Sequence, residues 1–452
     1  MNAVSLKLRL VALHERPVTL RLPFRFGAAT VTQCPQAFVR IEAEVAGRTV
    51  VGAGAELMVP KWFDKSPSLT HEQNFEQLRE ALRLAAEAYA SAEDATTPWW
   101  LSRQQGEAAV ERGVALGLPR LAAQFGQALL DKAVADAALR AADLPWAAGV
   151  RAGVLGDPHS RALHLQAPPT VAVRHTVGLA DRLVPQDPGS DPDDGLPATL
   201  QAAIAHYGLR YFKLKLSGQP DADLERLARI ARLLDAQAGD YSATLDGNET
   251  FADAASLGSF WRALRSDTCL RALMRRTLLL EQPLPRQRAL RESIAGLDIA
   301  IPVILDESDD HDDAFDEGLA LGYRGISSKA CKGIYRSLRN AVRVAAEPQR
   351  LLLSGEDLTC QAGLAVQQDT LLAASLGVTH IERNGHHYVD GFGLAPQREA
   401  QAFAQAHPGF YDDAGGRVRL AVRDGLLDLR SLHVPGFASA AMPLWDSLQP
   451  IT

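Results

Sequence analysis

Short apolar segments alternate with longer stretches in which apolar residues recur every three or four positions, and this alternation runs through the chain from residue 170 onward. The stretches between the short segments, such as 222–238 and 337–347, have the periodicity of amphipathic helices. Eight strand–helix units in succession favour a closed (β/α)8 barrel over an open, doubly wound sheet, which rarely carries so many. The short segments predict barrel strands at 171–177, 211–216, 241–245, 277–281, 301–306, 325–328, 350–354 and 378–382.

The first 150 residues have a different pattern, that of a mixed α+β domain. Apolar and polar residues alternate along 5–10 and 37–51, which predicts antiparallel strands. We interpret 23–35, between them, as a loop bounded by glycine and proline. A capping box formed by Thr70 and Gln73 then predicts the start of a long helix. The chain of 452 residues is long enough for a barrel and a smaller domain.

We expect three parts along the chain: an α+β domain at 1–150, the barrel at 165–400, and a segment at 401–452 that packs back on the first domain. Exposed barrel helices and a second domain also favour a homo-oligomer.

Composition and charge exclude several classes of function. With 47 Lys+Arg against 54 Asp+Glu, the net charge of −7 argues against a nucleic-acid or anionic-membrane partner. The chain has no run of eighteen apolar residues to span a membrane and no signal-peptide pattern at its start. Its four cysteines are scattered without metal-site spacing, which is typical of reduced thiols in a cytoplasmic protein.

Three carboxylates follow consecutive predicted strands of the barrel. Asp246, Glu281 and Asp306 end the third, fourth and fifth strands, and the carboxyl ends of barrel strands meet at one mouth. A single carboxylate in such a place is commonly a solvated strand end. Three that converge repel one another unless a cation holds them together, and hard oxygen ligands favour Mg²⁺. The set therefore predicts a magnesium site.

Lysines occupy positions that face the barrel interior. Lys213 and Lys215 are two residues apart on the second strand and share a face, while Phe212 and Leu214 take the other. In an edge strand this would be a solvated charged face, but a closed barrel has no such face. Lys329 ends the sixth strand, across the barrel, so Lys215 and Lys329 can flank one bound molecule from opposite sides.

This combination suits the removal of a proton next to a carboxylate, giving a metal-stabilised enediolate. Epimerisation, cycloisomerisation and loss of water all pass through that intermediate. We favour a racemase, epimerase or cycloisomerase, with an acid-sugar-type dehydratase as the alternative. A Schiff-base aldolase would use one of the lysines but leaves the three carboxylates unexplained. A non-catalytic binding barrel would require neither Lys215 nor Lys329.

The order of these motifs resembles the enolase superfamily, in its mandelate racemase/muconate lactonizing enzyme family. The resemblance covers most of the chain, and it implies a barrel with an α+β capping domain. It also implies that the three carboxylates hold Mg²⁺, that Lys215 and Lys329 are acid/base catalysts on opposite faces, and that Lys213 assists Lys215. The motifs are Lys213-x-Lys215, Asp246-x-Asn248, Glu281-Gln-Pro, Asp306-Glu-Ser and Lys329.

Other positions bear on the substrate, which we expect to be a small-molecule carboxylate. Glu382 matches a carboxyl group that contacts the enediolate in mandelate-racemase-like relatives, so we add it to the catalytic set. Asn248 is assigned to substrate binding. So are Phe26, in a segment that resembles the family's mobile specificity loop, and Lys61, in the segment MVPKWFDK. Residues 382–387 lack the Asp-x-Asp pair of dipeptide epimerases, which argues against a dipeptide substrate.

Four further positions are left with weaker or open interpretations. Glu356 and Asp357 could line the pocket or cap the next helix, and Trp62 could be part of a lid or of the core. Lys332 we expect to be a solvated loop residue.

Overall fold

The computed structural model describes residues 3–27, 29–414 and 416–452. The amino-terminal part is built on an antiparallel sheet of three consecutive strands, to which the last strand of the chain is added. Burial alternates along residues 39–45 of the second strand, as the period of two predicts, whereas residues 34–39 are all buried. The strands are β1 (Lys7–Phe26), β2 (Ala29–Val45) and β3 (Arg48–Leu57).

The loop predicted at 23–35 is instead the tip of the β1–β2 hairpin, so that prediction is wrong. Phe24 pairs with Val31 across the two strands, close to the turn that begins at Gly27. Pro23 lies in a stretch where the register shifts, so its missing N–H removes no hydrogen bond from the ladder. Ala28, also within the predicted loop, lies outside the described residues.

Helices cover one face of this sheet. Thr70 caps the first helix by accepting a hydrogen bond from the Gln73 N–H, and the Gln73 side chain accepts one from the Thr70 N–H, which confirms the capping box. The fourth helix packs against the first at Gly126, where a Cβ atom would lie 2.0 Å from the Ala81 oxygen. The helices are α1 (His71–Ala90), α2 (Pro98–Leu101), α3 (Glu107–Ala115), α4 (Arg120–Ala141) and α5 (Trp146–Arg151).

The remainder of the chain forms a closed barrel of eight parallel strands, as predicted. Each strand pairs with the next, and the eighth pairs with the first. The strands are β4 (Thr170–Val177), β5 (Tyr211–Lys215), β6 (Ser242–Asp246), β7 (Thr277–Glu281), β8 (Val303–Leu305), β9 (Gly325–Ser328), β10 (Leu352–Gly355) and β11 (His380–Glu382).

Helices of very different length separate the barrel strands and follow the last of them. They are α6 (Leu200–Tyr207), α7 (Pro220–Gln237), α8 (Ala254–Ser266), α9 (Arg271–Arg276), α10 (Arg286–Ala289), α11 (Ala314–Ala320), α12 (Ile334–Ala346), α13 (Leu364–Ser375), α14 (Gly385–Tyr388) and α15 (Gln397–Ala406). In the part of the chain that the structure describes, none of the helices combines the length and the apolar character needed to cross a membrane.

The end of the chain contacts both parts of the molecule. It forms a small hairpin, a strand antiparallel to β4 on the barrel, and a final strand that pairs with β1. These strands are β12 (Tyr411–Ala414), β13 (Arg417–Leu420), β14 (Leu426–Asp428) and β15 (Gln449–Pro450).

Candidate active site

The carboxyl ends of neighbouring barrel strands bring the charged residues to one level. In the sheet register, Lys215 of β5 lies beside Asp246 of β6, and Asp246 lies beside Glu281 of β7. Lys215 Nζ donates hydrogen bonds to Asp246 Oδ2 at 2.6 Å and to Asn248 Oδ1 at 2.8 Å. The sequence spacing and the parallel register together therefore place these side chains in contact.

Lys213 lies below this level, fully buried among four carboxylates. Its Nζ is 2.9 Å from Asp246, 2.8 Å from Glu281, 2.6 Å from Glu356 and 3.0 Å from Glu382. Burial alone would lower the pKa of Lys213, but the four negative charges outweigh burial and hold that pKa well above its usual value. The ammonium group therefore holds together anions that would otherwise repel one another.

Glu281 is the carboxylate least compensated by this arrangement. Burial raises its pKa well above the usual value, and the charges of Asp246 and Glu356 raise it further, against the opposing effect of Lys213. Among the described residues, its Oε2 atom receives no hydrogen bond of normal geometry. An additional cation at this oxygen would favour the ionised form.

Lys329 stands on the opposite wall, at the end of β9. Its Nζ donates to Asp306 Oδ2 at 2.8 Å and lies 4.2 Å from the centre of the Trp62 ring, a cation–π contact. Burial would lower the pKa of Lys329, but the charge of Asp306 outweighs burial and raises it. Burial likewise works against ionisation of Asp306, yet Lys329 and Lys332 keep the pKa of Asp306 far below its usual value.

Lys332 is buried rather than solvated, so that expectation is wrong. A short 3-10 turn over Ala330–Lys332 follows β9 and directs the side chain inward. Its Nζ donates to Ser327 Oγ at 2.8 Å and lies 3.1 Å from Asp309 Oδ2. The turn was not evident from sequence, where a Lys followed by Gly is typical of an exposed loop.

Glu382, at the end of β11, is fixed by hydrogen bonds on both of its oxygens. Oε1 accepts from Thr176 at 2.5 Å and from the Asn384 amide at 2.8 Å, while Oε2 accepts from the Asp357 N–H at 3.0 Å. Burial would raise the pKa of Glu382, but nearby lysines, Lys213 first among them, hold it well below its usual value. The side chain is a rigid anion in the wall of the pocket.

An aromatic lid from the first domain closes the pocket. Phe24 and Phe26 lie at the tip of the β1–β2 hairpin, with their ring centres 5.9 and 5.8 Å from Lys215 Nζ. Trp62 covers Lys329. The cavity beneath the lid has a volume of about 20 Å³, room for about one water molecule. Phe26 and Asn248 line this cavity, as does Trp62. A substrate can enter only after part of the lid has moved.

Lys61 does not reach this cavity. Its ammonium group donates to the backbone oxygens of Ser66 and Leu69, within its own loop. Lys65, four residues later, turns toward the barrel instead and donates to the backbone oxygen of Asn248 at 2.7 Å. The basic character expected near the mouth is therefore supplied by a different lysine of the same segment.

The donor chemistry of the strand ends fits Mg²⁺. Asp246, Glu281 and Asp306 are buried carboxylates on three neighbouring strands, and the first two already meet at one cationic point, Lys213 Nζ. Both oxygens of Asp306, however, face Lys329, Lys332 or Ser327. Within the described ranges, no three His, Cys, Asp or Glu side chains already lie close enough together to hold a metal ion. Binding of Mg²⁺ would therefore require Asp306 to exchange partners. The same holds for Asp246, whose oxygens accept hydrogen bonds from Lys215 and from the Asn248 N–H.

Several residues of the site escaped sequence reasoning or were left open. Glu356 lies beneath Lys213, where it also pairs with the buried guanidinium of Arg174. Asp357 lines the cavity, and burial raises its pKa to about 7. The charge of Arg383 opposes this shift, and the charge of Glu382 adds to it. Arg174 could have been found, because a charged residue inside a barrel strand that is otherwise largely apolar needs a buried partner of opposite charge.

Comparisons with known proteins were made for the sequence and for the fold. No family model matches the sequence, and no curated protein matches it either. Solved structures do match. A muconate lactonizing enzyme from Mucobacterium Smegmatis, solved with muconolactone, is 17% identical, with 97% of this chain and 98% of that chain covered at a TM-score of 0.63.

Two further structures agree. A dipeptide epimerase from Enterococcus faecalis V583, solved with Mg and the dipeptide L-Leu-L-Tyr, is 15% identical, with coverage of 96% and 99% and a TM-score of 0.61. A member of the enolase superfamily from Roseovarius nubinhibens ISM is 17% identical, with coverage of 99% of both chains and a TM-score of 0.61. At such identities the likeness establishes the fold: over nearly its whole length, this chain has the two-part fold of muconate lactonizing enzymes and enolase-superfamily structures.

Proposed function

We propose that this chain is a Mg²⁺-dependent isomerase, a racemase, epimerase or cycloisomerase, that removes the α-proton of a small carboxylate substrate. One observation carries the proposal: Lys215 and Lys329 line the same cavity from β5 and β9, the second and sixth of eight barrel strands. A molecule between them has one ammonium or amine group on each side. One lysine can remove a proton while the other returns a proton to the opposite face.

The surrounding residues support this chemistry. Asp246, Glu281 and Asp306 would hold Mg²⁺, which when bound would supply positive charge to stabilise the negative charge that develops on the substrate carboxylate. Lys213 keeps the neighbouring carboxylates in place through its ion pairs. The lid leaves room for about one water molecule in the pocket, and so little water strengthens every electrostatic interaction inside it.

The neighbours in fold add support of a general kind. Two of them are named for reactions that rearrange a substrate without net gain or loss of atoms, muconate lactonization and dipeptide epimerisation, and one was solved with Mg. The absence of an Asp-x-Asp pair after β11 leads us to favour a substrate other than a dipeptide. Loss of water from a hydroxylated acid remains the alternative outcome of the same proton removal.

The proposal is tested by α-proton exchange. The protein is incubated in D₂O with Mg²⁺ and pools of sugar acids, acylamino acids, dipeptides and lactone-forming diacids, and deuterium uptake is followed by mass spectrometry. We expect exchange that disappears with chelator and in the double variant Lys215→Ala/Lys329→Ala, but not in the control Lys7→Ala. Each single variant, Lys215→Ala or Lys329→Ala, should lose exchange on the face of the substrate that its lysine serves. A product lighter by one water would instead indicate the dehydratase. Absence of exchange in every pool, together with no Mg²⁺ binding by calorimetry, would refute the proposal.

A further inference from the structure

Trp62 is placed over Lys329 by a loop that belongs to the other part of the molecule. This loop, residues 58–66 and here called the lid loop, follows β3, and its Trp62 and Phe63 side chains are buried. The ring of Trp62 lies 4.2 Å from Lys329 Nζ, so the position of the loop decides what surrounds that ammonium group. Trp62 and Phe63 also pack edge-to-face against one another at 4.7 Å. The question is what attaches this loop to the barrel.

Arg286, at the start of α10, makes that attachment with most of its guanidinium group. Nη2 donates to the Trp62 backbone oxygen at 2.8 Å and Nη1 to the Phe63 oxygen at 2.9 Å. Nε and Nη2 also contact the two oxygens of Glu249 at 3.0 and 2.8 Å. A planar guanidinium can serve carbonyls on one side and a carboxylate on the other, which an ammonium group cannot do.

Glu249 is itself held in an unusual position. It follows β6 and adopts a φ of +66°, in the left-handed region that is unfavourable for residues other than glycine. Asn248, which lines the cavity, precedes it with a φ of +44°. Such backbone persists where surrounding contacts over-determine it. The paired oxygens of Glu249 provide those contacts, since they bind Arg286 and also Lys65 of the lid loop at 2.6 Å.

We infer that Arg286 is a positioning residue, which fixes Trp62 over Lys329 by joining the lid loop to Glu249. It touches neither Lys215 nor Lys329, and it does not line the cavity. Its effect on the loop follows from the contacts alone, whereas its effect on turnover rests on the proposed function. Without Arg286, the backbone oxygens of Trp62 and Phe63 lose their charged donor and the loop keeps Lys65 as its remaining tie to Glu249.

The test is hydrogen–deuterium exchange on the whole chain, which requires no substrate. In Arg286→Met we expect amides of residues 58–66 to exchange at least about tenfold faster, because hydrogen bonds to a charged donor are lost. Peptides from the barrel strands should be unchanged. Arg288→Met is the matched control: Arg288 is two residues away, half-exposed and paired with Glu292, and its loss should leave the loop unchanged.

Two further variants keep the inference falsifiable if Arg286→Met does not fold. Arg286→Lys retains a charge for Glu249 but cannot reach both carbonyls, and Glu249→Gln weakens the partner of Arg286; each should accelerate exchange of the loop. A folded Arg286 variant with unchanged loop exchange would overturn the inference, whatever the reaction is. Once a substrate is known, we expect Arg286→Met to raise KM more than it lowers kcat, because binding must then order the loop.

Discussion

Asp131, in the middle of α4, is a buried carboxylate that has no cationic partner among the described residues. Its two oxygens accept hydrogen bonds from Tyr89 at 2.6 Å and from Ser102 at 2.8 Å. Burial raises the pKa of Asp131 to about 7, and the charge of Glu107 adds a little to the shift. At pH 8 the folded protein must therefore keep a buried anion, which the neutral isostere Asn would avoid.

The magnitude follows from the pKa difference. The folded protein binds a proton at Asp131 up to about pH 7, while the ordinary pKa of this group is 3.8. The stability contributed by this group is therefore largest below about pH 4, falls between about pH 4 and pH 7, and is constant above about pH 7. At about 1.4 kcal/mol per pH unit, the loss is roughly 4 kcal/mol. At about 2.1 cal/mol/K of unfolding entropy per residue, this corresponds to roughly 4 °C in Tm.

The assay compares Asp131→Asn with the unmodified chain by thermal unfolding from pH 4 to pH 8. We expect the Tm of the variant, relative to that of the parent, to rise by roughly 3–4 °C between pH 4 and pH 8. Asp143→Asn, which removes the same charge at an exposed turn, should give no such trend. A Tm difference that is constant with pH, or that falls between pH 4 and pH 8, would refute the reasoning.

Three other changes have defined outcomes. Glu281→Gln should weaken Mg²⁺ binding at least roughly tenfold, as measured by calorimetry, because one hard oxygen charge is lost; unchanged affinity would remove Glu281 from the ligand set. Glu382→Gln should slow α-proton exchange roughly 100-fold, and an active variant would show that the charge is not required. Gly126→Ala should destabilise the fold by about 1–3 kcal/mol in urea, because its Cβ would lie 2.0 Å from the Ala81 oxygen. Gly296→Ala, with open space around it, is the matched control.

Much of the fold was predictable because the barrel strands are short, largely buried segments separated by longer helical stretches. The predicted segment 277–281, for example, is β7 at both ends. The register that brings Lys215 beside Asp246 also follows from the parallel pairing of strand ends. Pro23 is typical of a loop, and local sequence does not reveal where a long hairpin shifts its register.

The details of the site were less predictable, since they depend on which side chains compensate one another. The burial of Lys332 depends on Asp309, which lies in another loop and comes close only after folding. The local sequence around Lys332 therefore predicts a solvated side chain. Arg286 carries no motif that marks it as an attachment for the lid. Lys61 and Lys65 belong to the same short segment, and the sequence does not distinguish them. Only the path of the loop determines which of the two faces the barrel.

The charged residues at the centre of the mouth and the uncharged residues at its rim differ in how freely they can be substituted. Each charged group in the centre is compensated by others, so replacing one alone leaves its partners buried and uncompensated. Strong epistasis should therefore confine evolutionary drift at Lys213 and its four carboxylates to concerted changes. The rim residues Phe24, Phe26 and Val59 come from the other part of the molecule and carry no charge. A mutant library restricted to the rim would sample new substrates while it leaves the proton-transfer machinery intact.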